Sequence, residues 1–326
     1  MKMFGALRIV GFAVALAATH AHAQTASSEN YPQRPIQIIV GYAAGGGTDV
    51  VARVIAKKLG DHLGQTVIVE TKTGAAGMIG AEYVARAKPD GYTLLFAASS
   101  MFTTNPVMYK TVPYTASNFV PISTVVTFPF FLLVNAQQPI KTVQELREYW
   151  KARPESANCS GAAGIHQLSF ALLESKVGNT GQFIPYRGTN EAIMAVVAGN
   201  VLMTIADSGP ASPIIGGGKV RPLAVTSAKR LAAYPNVPTF AEAGLPGMEI
   251  ESWFGLLAPA GTPIEIVKKL QREVQRIVQT NDFEHFAATL NLIPHENTSE
   301  QFANMIASDL ARWRAVAKAS NIKPTD

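Results

Sequence analysis

The segment from Ile36 to Asp49, I-Q-I-I-V-G-Y-A-A-G-G-G-T-D, constrains this chain more than any other. Ile36, Ile38, Ile39 and Val40 form a short apolar run of strand type. Gly45, Gly46 and Gly47 follow. Thr48-Asp49 then precede Val51, Ile55, Leu59 and Leu63, four apart on one helical face. A strand, a glycine turn and a helix start, in that order, make a unit that attracts anions. Glycine lets the backbone approach a ligand closely, and the first helical N–H groups have no internal partner. The helix dipole adds roughly 0.3–1 kcal/mol for a negative charge when exposed, and up to ~2 kcal/mol when partly buried.

Strand-like and helix-like segments alternate along the rest of the chain, the pattern of an α/β fold with mostly parallel sheets. Strands are expected at 36–40, 67–70 and 93–96, with a helix over 78–87 closed by Lys88-Pro89-Asp90-Gly91. A second series of strands is expected at 131–134, near Asn158, and at 183–185, 201–205 and 223–226. Helices over 143–151, 166–177 and 191–198 fall between them. Residues 251–258 read as one more buried strand. Thr262-Pro263-Ile264-Glu265 and Thr298-Ser299-Glu300-Gln301 have the form of capping boxes, the first with proline at the opening helical position. Ile266, Leu270, Val274, Ile277 and Val278 share a face of the helix after the first box. Phe302, Met305, Ile306, Leu310, Trp313 and Val316 do so after the second. Such stripes are core.

The first two dozen residues stand apart. Lys2 and Arg8 start the chain, and the apolar stretch 9–18 is shorter than the about 20 residues that span a bilayer. Ala21-His22-Ala23 is an A-x-A cleavage signal, so residues 1–23 read as a signal peptide rather than a short anchor, with the mature chain starting at Gln24. Cys159 is the only cysteine, so no internal disulfide can form, and none follows the cleavage site to carry a lipid. A chain of 326 residues buries a sizeable core without staples and suggests two domains. Its formal charge of +5, or +3 without Lys2 and Arg8, favours acidic solutes. No basic block or aromatic–basic interleaving argues for nucleic acid.

Several chemistries are disfavoured. A phosphate-binding P-loop needs lysine after its last glycine, whereas Thr48-Asp49 follow Gly47. A dinucleotide fingerprint fails because Val50 stands at the third glycine position. No cofactor is therefore expected. Asp49 reads as an N-cap, turned back onto its own helix, since a free carboxylate there would repel an anion. His62, His166, His285 and His295 lack metal-ligand spacing, and His62, His285 and His295 read as surface or helix-end residues. Ser99, Ser100, Ser160 and His166 are the only suggestive hydrolase set, without a G-x-S-x-G elbow. A triad from distant residues stays open.

Three more loops follow strands and open onto helices or turns: Ala97-Ala98-Ser99-Ser100, 158–164, and Tyr186-Arg187-Gly188-Thr189-Asn190. In open α/β sheets ligands sit at the carboxyl ends of strands. Four small-residue loops at such ends, in both halves of the chain, point to one shared cleft.

At these residues the chain resembles the solute-binding proteins of tripartite tricarboxylate transporters, the Bug receptors, over nearly all of the mature chain. The matching stretches include Pro35-Ile36-Gln37-Ile38-Ile39-Val40, Gly45-Gly46-Gly47-Thr48-Asp49 and Gly74-Ala75-Ala76-Gly77-Met78-Ile79-Gly80-Ala81. Pro89-Asp90-Gly91-Tyr92-Thr93-Leu94-Leu95, Pro185-Tyr186-Arg187-Gly188 and Arg221-Pro222-Leu223-Ala224-Val225-Thr226-Ser227 follow in order. Val237-Pro238-Thr239, Glu242-Ala243-Gly244-Leu245-Pro246-Gly247 and Trp253-Phe254-Gly255-Leu256-Leu257-Ala258-Pro259-Ala260-Gly261-Thr262-Pro263 complete the set. The resemblance implies a two-domain periplasmic binding protein of type II. Its first domain would be 24–127 plus 252–326 and its second 128–251, with 131–134 and 253–257 as crossover strands. It implies a monomeric, non-enzymatic receptor that grips a small organic carboxylate and delivers it to a membrane permease. Carried over by position, the first-domain contacts are Tyr42, Ala43, Gly45, Gly46, Gly47, Thr48 and Asp49, with Ala98, Ser99 and Ser100 beside them. Facing these are Ser160, Ala162, Ala163 and His166, then Arg187, Gly188 and Thr189, and Asp207.

The departures from the family pattern also carry information. Ile165 replaces a hydroxyl position, and Met101 and Phe102 stand where small or polar residues are common. They suggest one carboxylate pole and a more apolar wall, suited to an aromatic or longer-chain acid. Arg187 could meet a second carboxylate or serve as a solvated, domain-stabilising residue. A secreted serine hydrolase acting near Ser99, and a ligand sensor docking a signalling protein, are the alternative readings.

Overall fold

The computed structural model describes residues 30–162 and 164–325. The expected signal peptide and the loop residue Ala163 lie outside the described residues. Strands β1 (Ile36–Val40), β2 (Val67–Thr71) and β3 (Thr93–Ala98) alternate with helices α1 (Gly47–Leu63) and α2 (Met78–Ala85). Two single-turn helices, α3 (Ser100–Thr103) and α4 (Asn105–Met108), lead to the long strand β4 (Phe119–Asn135). A second alternation follows: α5 (Val143–Ala152), β5 (Asn158–Gly161), α6 (Ile165–Val177), β6 (Gln182–Pro185), α7 (Thr189–Val197), β7 (Met203–Asp207), α8 (Ser208–Gly216) and β8 (Val220–Val225). The chain closes with β9 (Glu251–Pro259), α9 (Ile264–Val278), α10 (Asn281–Thr289), β10 (Ile293–Pro294) and α11 (Ser299–Ala319).

The strands form one mixed α/β sheet in the order β2-β1-β3-β9-β4-β7-β5-β6, with β8 and β10 also on β4. β1 runs parallel to β2 and β3, and β5 parallel to β6 and β7. Residues 119–129 of β4 pair antiparallel with β9. Beyond them, 130–134 pair with β7 on one edge and 131–135 with β8 on the other. One strand therefore belongs to both halves of the sheet.

The apolar pattern suggests a strand only from 131, because Pro129 interrupts the run. In the structure β4 passes through both Pro121 and Pro129. Pro121 sits beside a bulge in the β9 register. Pro129 faces Glu251, the first residue of β9, so its missing N–H falls where the ladder changes partners. The next N–H, of Phe130, is taken by Thr226 Oγ1 at 2.8 Å.

Helices cover both faces of each half, so the strands read as continuous apolar runs rather than alternating ones. On one face of the first half, Val51, Ile55 and Leu59 of α1 join Ile266, Leu270 and Val274 of α9 over Ile38 and Val40. On the other, Trp253 packs edge-on against Phe302 of α11, with centroids 4.7 Å apart. In the second half, Trp150 of α5 stacks on Phe170 of α6 at 5.7 Å. Each fully buried side chain of this size contributes about 1.5–3 kcal/mol.

One expected capping box forms and the other does not. Thr298 accepts from the Gln301 N–H, and Gln301 reaches back to the Thr298 N–H. At α9 the N-cap is Pro263, and the Thr262 hydroxyl instead donates to the carbonyl of Pro259 at 2.8 Å. Helix α9 starts one residue later than a box would require, so the hydroxyl is spent on the end of β9.

Gly255 in the middle of β9 has no room for a side chain. A Cβ there would lie 2.5 Å from the Phe302 ring and 3.1 Å from the Ser123 carbonyl oxygen. Gly255→Ala is expected to cost about 1–3 kcal/mol through overpacking, and calorimetry should show a Tm several degrees lower. An unchanged Tm would mean that α11 can move away from the sheet freely.

Candidate functional site

A cavity of about 990 Å³ lies between the two halves of the sheet. The carboxyl ends of β1 and β3 reach it from one side, and those of β5, β6 and β7 from the other. Four helices of nine or more residues begin at its wall: α1 at Gly46-Gly47-Thr48, α6 at Gly164-Ile165-His166, α7 at Gly188-Thr189 and α8 at Asp207. The N–H groups of each first turn have no intrahelical acceptor, so four partial positive charges converge on one space.

The α1 start is built by its glycines. Gly45 adopts φ +78°, a left-handed conformation that favours glycine. Gly46 is the N-cap, and no side chain covers it. The expectation that Asp49 is the N-cap is corrected: it is the third helical residue. Its Oδ2 reaches back to accept from the Gly45 N–H and from Arg53 Nε, both at 2.9 Å. Asp49 therefore turns away from the cavity and ties down the loop. Its carboxyl is held below the usual range by the Arg53 hydrogen bond, against the opposing effect of burial and with help from the Gly45 N–H.

Beside this loop, Tyr42 Oη lies 2.7 Å from Ser100 Oγ and donates to the Ala76 carbonyl at 3.3 Å. Burial raises the Tyr42 phenol, so it stays a neutral donor. Asn105 Nδ2 donates to the same carbonyl at 3.0 Å. Across the cavity, Thr189 Oγ1 donates to Asp207 Oδ2 at 2.6 Å. His166 Nε2 lies 3.3 Å from that same oxygen, without hydrogen-bond geometry at either ring nitrogen. Burial would raise the Asp207 carboxyl; the His166 ring, whenever it carries a proton, and the Thr189 hydroxyl outweigh this and hold it low. Arg187 is exposed on the wall and makes no ion pair among the described residues.

Most of the residues expected from the sequence meet at this cavity. Tyr42, Ala43, Gly46, Gly47 and Thr48 line it from the first loop, and Ala98, Ser99 and Ser100 from the second. Ala162 and His166, then Arg187, Gly188 and Thr189, and Asp207 line the opposite wall. Gly45 and Asp49 do not, because they form the internal brace of the α1 loop. Ser160 does not either: its hydroxyl is fully buried and donates to the Ala192 carbonyl at 2.8 Å. No serine hydroxyl bonds to His166 among the described residues.

The apolar wall arises differently from the expectation. Met101 and Phe102 are buried in the core with Trp253 and Phe302, beneath the site. Ile165 does line the cavity. The aromatic surface comes from Phe128 and Phe254, with centroids 5.0 Å apart, and from Tyr109. Leu290 and Leu292, in the turn after α10, close one side. Sequence reasoning missed these as cleft residues: Phe128 and Phe254 sit mid-strand, the latter in a stretch read only as a buried strand and family match, and Leu290 and Leu292 sit in a turn with no motif. It also missed α8, whose Pro210 and Pro213 disguise a helix.

Fold and site together define a solute-binding receptor with an anion-attracting cleft. The chain belongs to the tripartite tricarboxylate transporter family of receptors, whose model matches residues 51–322. It is 34% identical to Protein BugT of Bordetella pertussis, covering 99% of each chain. Among solved structures it is similar to R. palustris Rpa4515 with adipate, at 32% identity and TM-score 0.80, covering 90% of this chain and 100% of that one. It is also similar to MatC of Rhodopseudomonas palustris with bound malate, at 30% identity and TM-score 0.74, covering 88% and 99%.

Asp49→Asn should cost about 1–3 kcal/mol at pH 7 by removing a buried charge-assisted bond. Because the folded carboxyl titrates below its unfolded value, this stabilisation is complete above about pH 4 and is lost as pH falls through the folded value. The Tm gap between wild type and variant should therefore close on acidification. A gap of equal size at pH 7 and pH 3 would assign the effect to something other than the carboxylate.

Proposed function

We infer that this protein captures a small organic carboxylate in the cleft between its two halves and hands it to a membrane permease. The observation that carries this reading is the convergence on one cavity of four helix starts and of Arg187, which makes no ion pair among the described residues. The bound molecules of the two solved relatives, adipate and malate, are both dicarboxylates, which supports an acid with two charged ends. One carboxylate would sit on Gly46, Gly47 and Thr48, and the other near Arg187, Gly188 and Thr189. Phe128, Phe254, Ile165 and Leu292 between them favour a longer or aromatic spacer over a short, wholly polar one. We place the division into lobes where β4 leaves β9 for β7 and β8, near 128–130, and where the chain enters β9, near 250–252. Closure would then be a hinge motion at these strands. Export to the periplasm fits the leader expected from the sequence and the family.

A thermal-shift screen of the mature protein against mono- and dicarboxylic acids tests this directly. A matching acid at 100 times its Kd should add ~2.7 kcal/mol, a rise of roughly 5–10 °C for a chain of this size. No response to any carboxylate would sink the reading. Gly188→Val sharpens the test. Gly188 has an extended backbone and open space around a would-be Cβ, so the fold should tolerate valine. The same valine intrudes on the cavity, and affinity for the matching acid should fall at least about tenfold, or 1.4 kcal/mol. Full affinity with an intact fold would remove the α7 start from the site.

A further inference from the structure

His166 is a buried titratable side chain that the cleft does not otherwise use. It is the second residue of α6, and only 5% of it is exposed. Its ring stands edge-on to Phe130, with centroids 5.7 Å apart and planes at 90°. Both ring nitrogens are buried without a hydrogen bond, yet the residue lines the cavity. Asp207 is its one ion-pair contact among the described residues.

Every element around the ring bears on its charge. β4 presents Phe130, and β5 presents Gly161, whose backbone lies against the imidazole. β6 and α11 meet α6 through apolar residues of one core cluster, Phe183 and Trp313 among them. The end of β7 supplies Asp207, and Arg187 precedes α7 on the same cavity wall. From across the cavity the titratable lining residues are Tyr42 and Tyr109. The first turn of α6 carries no acidic side chain.

This leaves a conflict within the anion site. Asp207 puts a carboxylate on a wall that otherwise favours negative charge. An incoming carboxylate would be repelled by it unless Asp207 is neutralised. The nearest group able to do so is the imidazole 3.3 Å away. Burial and the positive start of α6 oppose a proton on the ring; Asp207 beside it favours one, and an anion held on the same wall by Arg187, Gly188 and Thr189 adds to that pull.

We propose that His166 makes capture proton-coupled: the acid is bound together with a proton that the His166 ring takes up beside Asp207. The anion then meets an imidazolium–carboxylate pair of no net charge. This rests on the carboxylate reading above and adds its regulation. Capture strengthens as the surroundings acidify, over a range in which the ligand's own carboxyls are already ionised.

The test is titration calorimetry with adipate, or with the strongest acid from the thermal screen, between pH 6 and pH 8. Each titration is run in buffers of different ionisation enthalpy, so that protons taken up on binding are counted. Wild type should take up a fraction of a proton near pH 7, and its affinity should be about three- to tenfold weaker at pH 8 than at pH 6. His166→Gln should bind with no proton uptake and a flat profile. Binding by wild type with no uptake and no pH dependence would overturn the proton coupling alone. Uptake that persists in His166→Gln would overturn the assignment to this ring. No binding of any acid at any pH would overturn the carboxylate reading and the coupling with it.

Discussion

The unbroken backbone of β4 is the constraint on which the rest of the structure depends. Its 17 residues pair first with β9 and then with β7 and β8. Among the described residues no other strand is shared in this way by both halves of the sheet. The two halves are joined by these ladder hydrogen bonds and also by packing, since Val107 and Met108 of α4 and Trp313 of α11 enter the core cluster of the second half. Pro129 is placed where the ladder changes partners, so the join costs no lost donor. Because the strands on either side end towards the same gap, their loops and helix starts must face one another across it.

That arrangement concentrates positive potential without many charged side chains. Four helix starts supply N–H groups from α1, α6, α7 and α8. The carboxylates that could spoil the field are handled in two ways. Asp49 is turned outward onto Gly45 and Arg53. Asp207 stays on the wall but is engaged by Thr189 and His166. The aromatic pair Phe128 and Phe254 lies in the β4–β9 ladder just before β4 changes partners. Part of the apolar face of the cleft is thus built on the strand that joins the two halves.

Much of this was legible locally. β1, α1 and the glycine turn between them follow from the apolar spacing and from Gly45 to Gly47. The loops after β3, β5 and β6 follow from small residues at strand ends, and most of their residues meet at the cavity. Other features were hidden because local pattern and tertiary role diverge. Ser160 looks like a binding serine, but β5 buries it and its hydroxyl is used by Ala192. Met101 and Phe102 look like cleft residues, but α3 turns them into the core. Pro129 interrupts an apolar run yet lies within β4, and Pro210 and Pro213 lie within α8, a helix no local pattern announces.

By itself the sequence determined the alternating α/β character, the anion-attracting turn at Gly45 to Gly47 and the family of the chain. These depend on short-range spacing and backbone freedom, which are written in neighbouring residues. Only the tertiary structure decided which side chains face the cavity and which brace it. It alone placed Phe128, Phe254, Leu290 and Leu292 opposite the helix starts, and set His166 against Asp207. Those contacts join residues up to hundreds of positions apart, and the sheet order that brings them together is set by strand pairing rather than by local pattern.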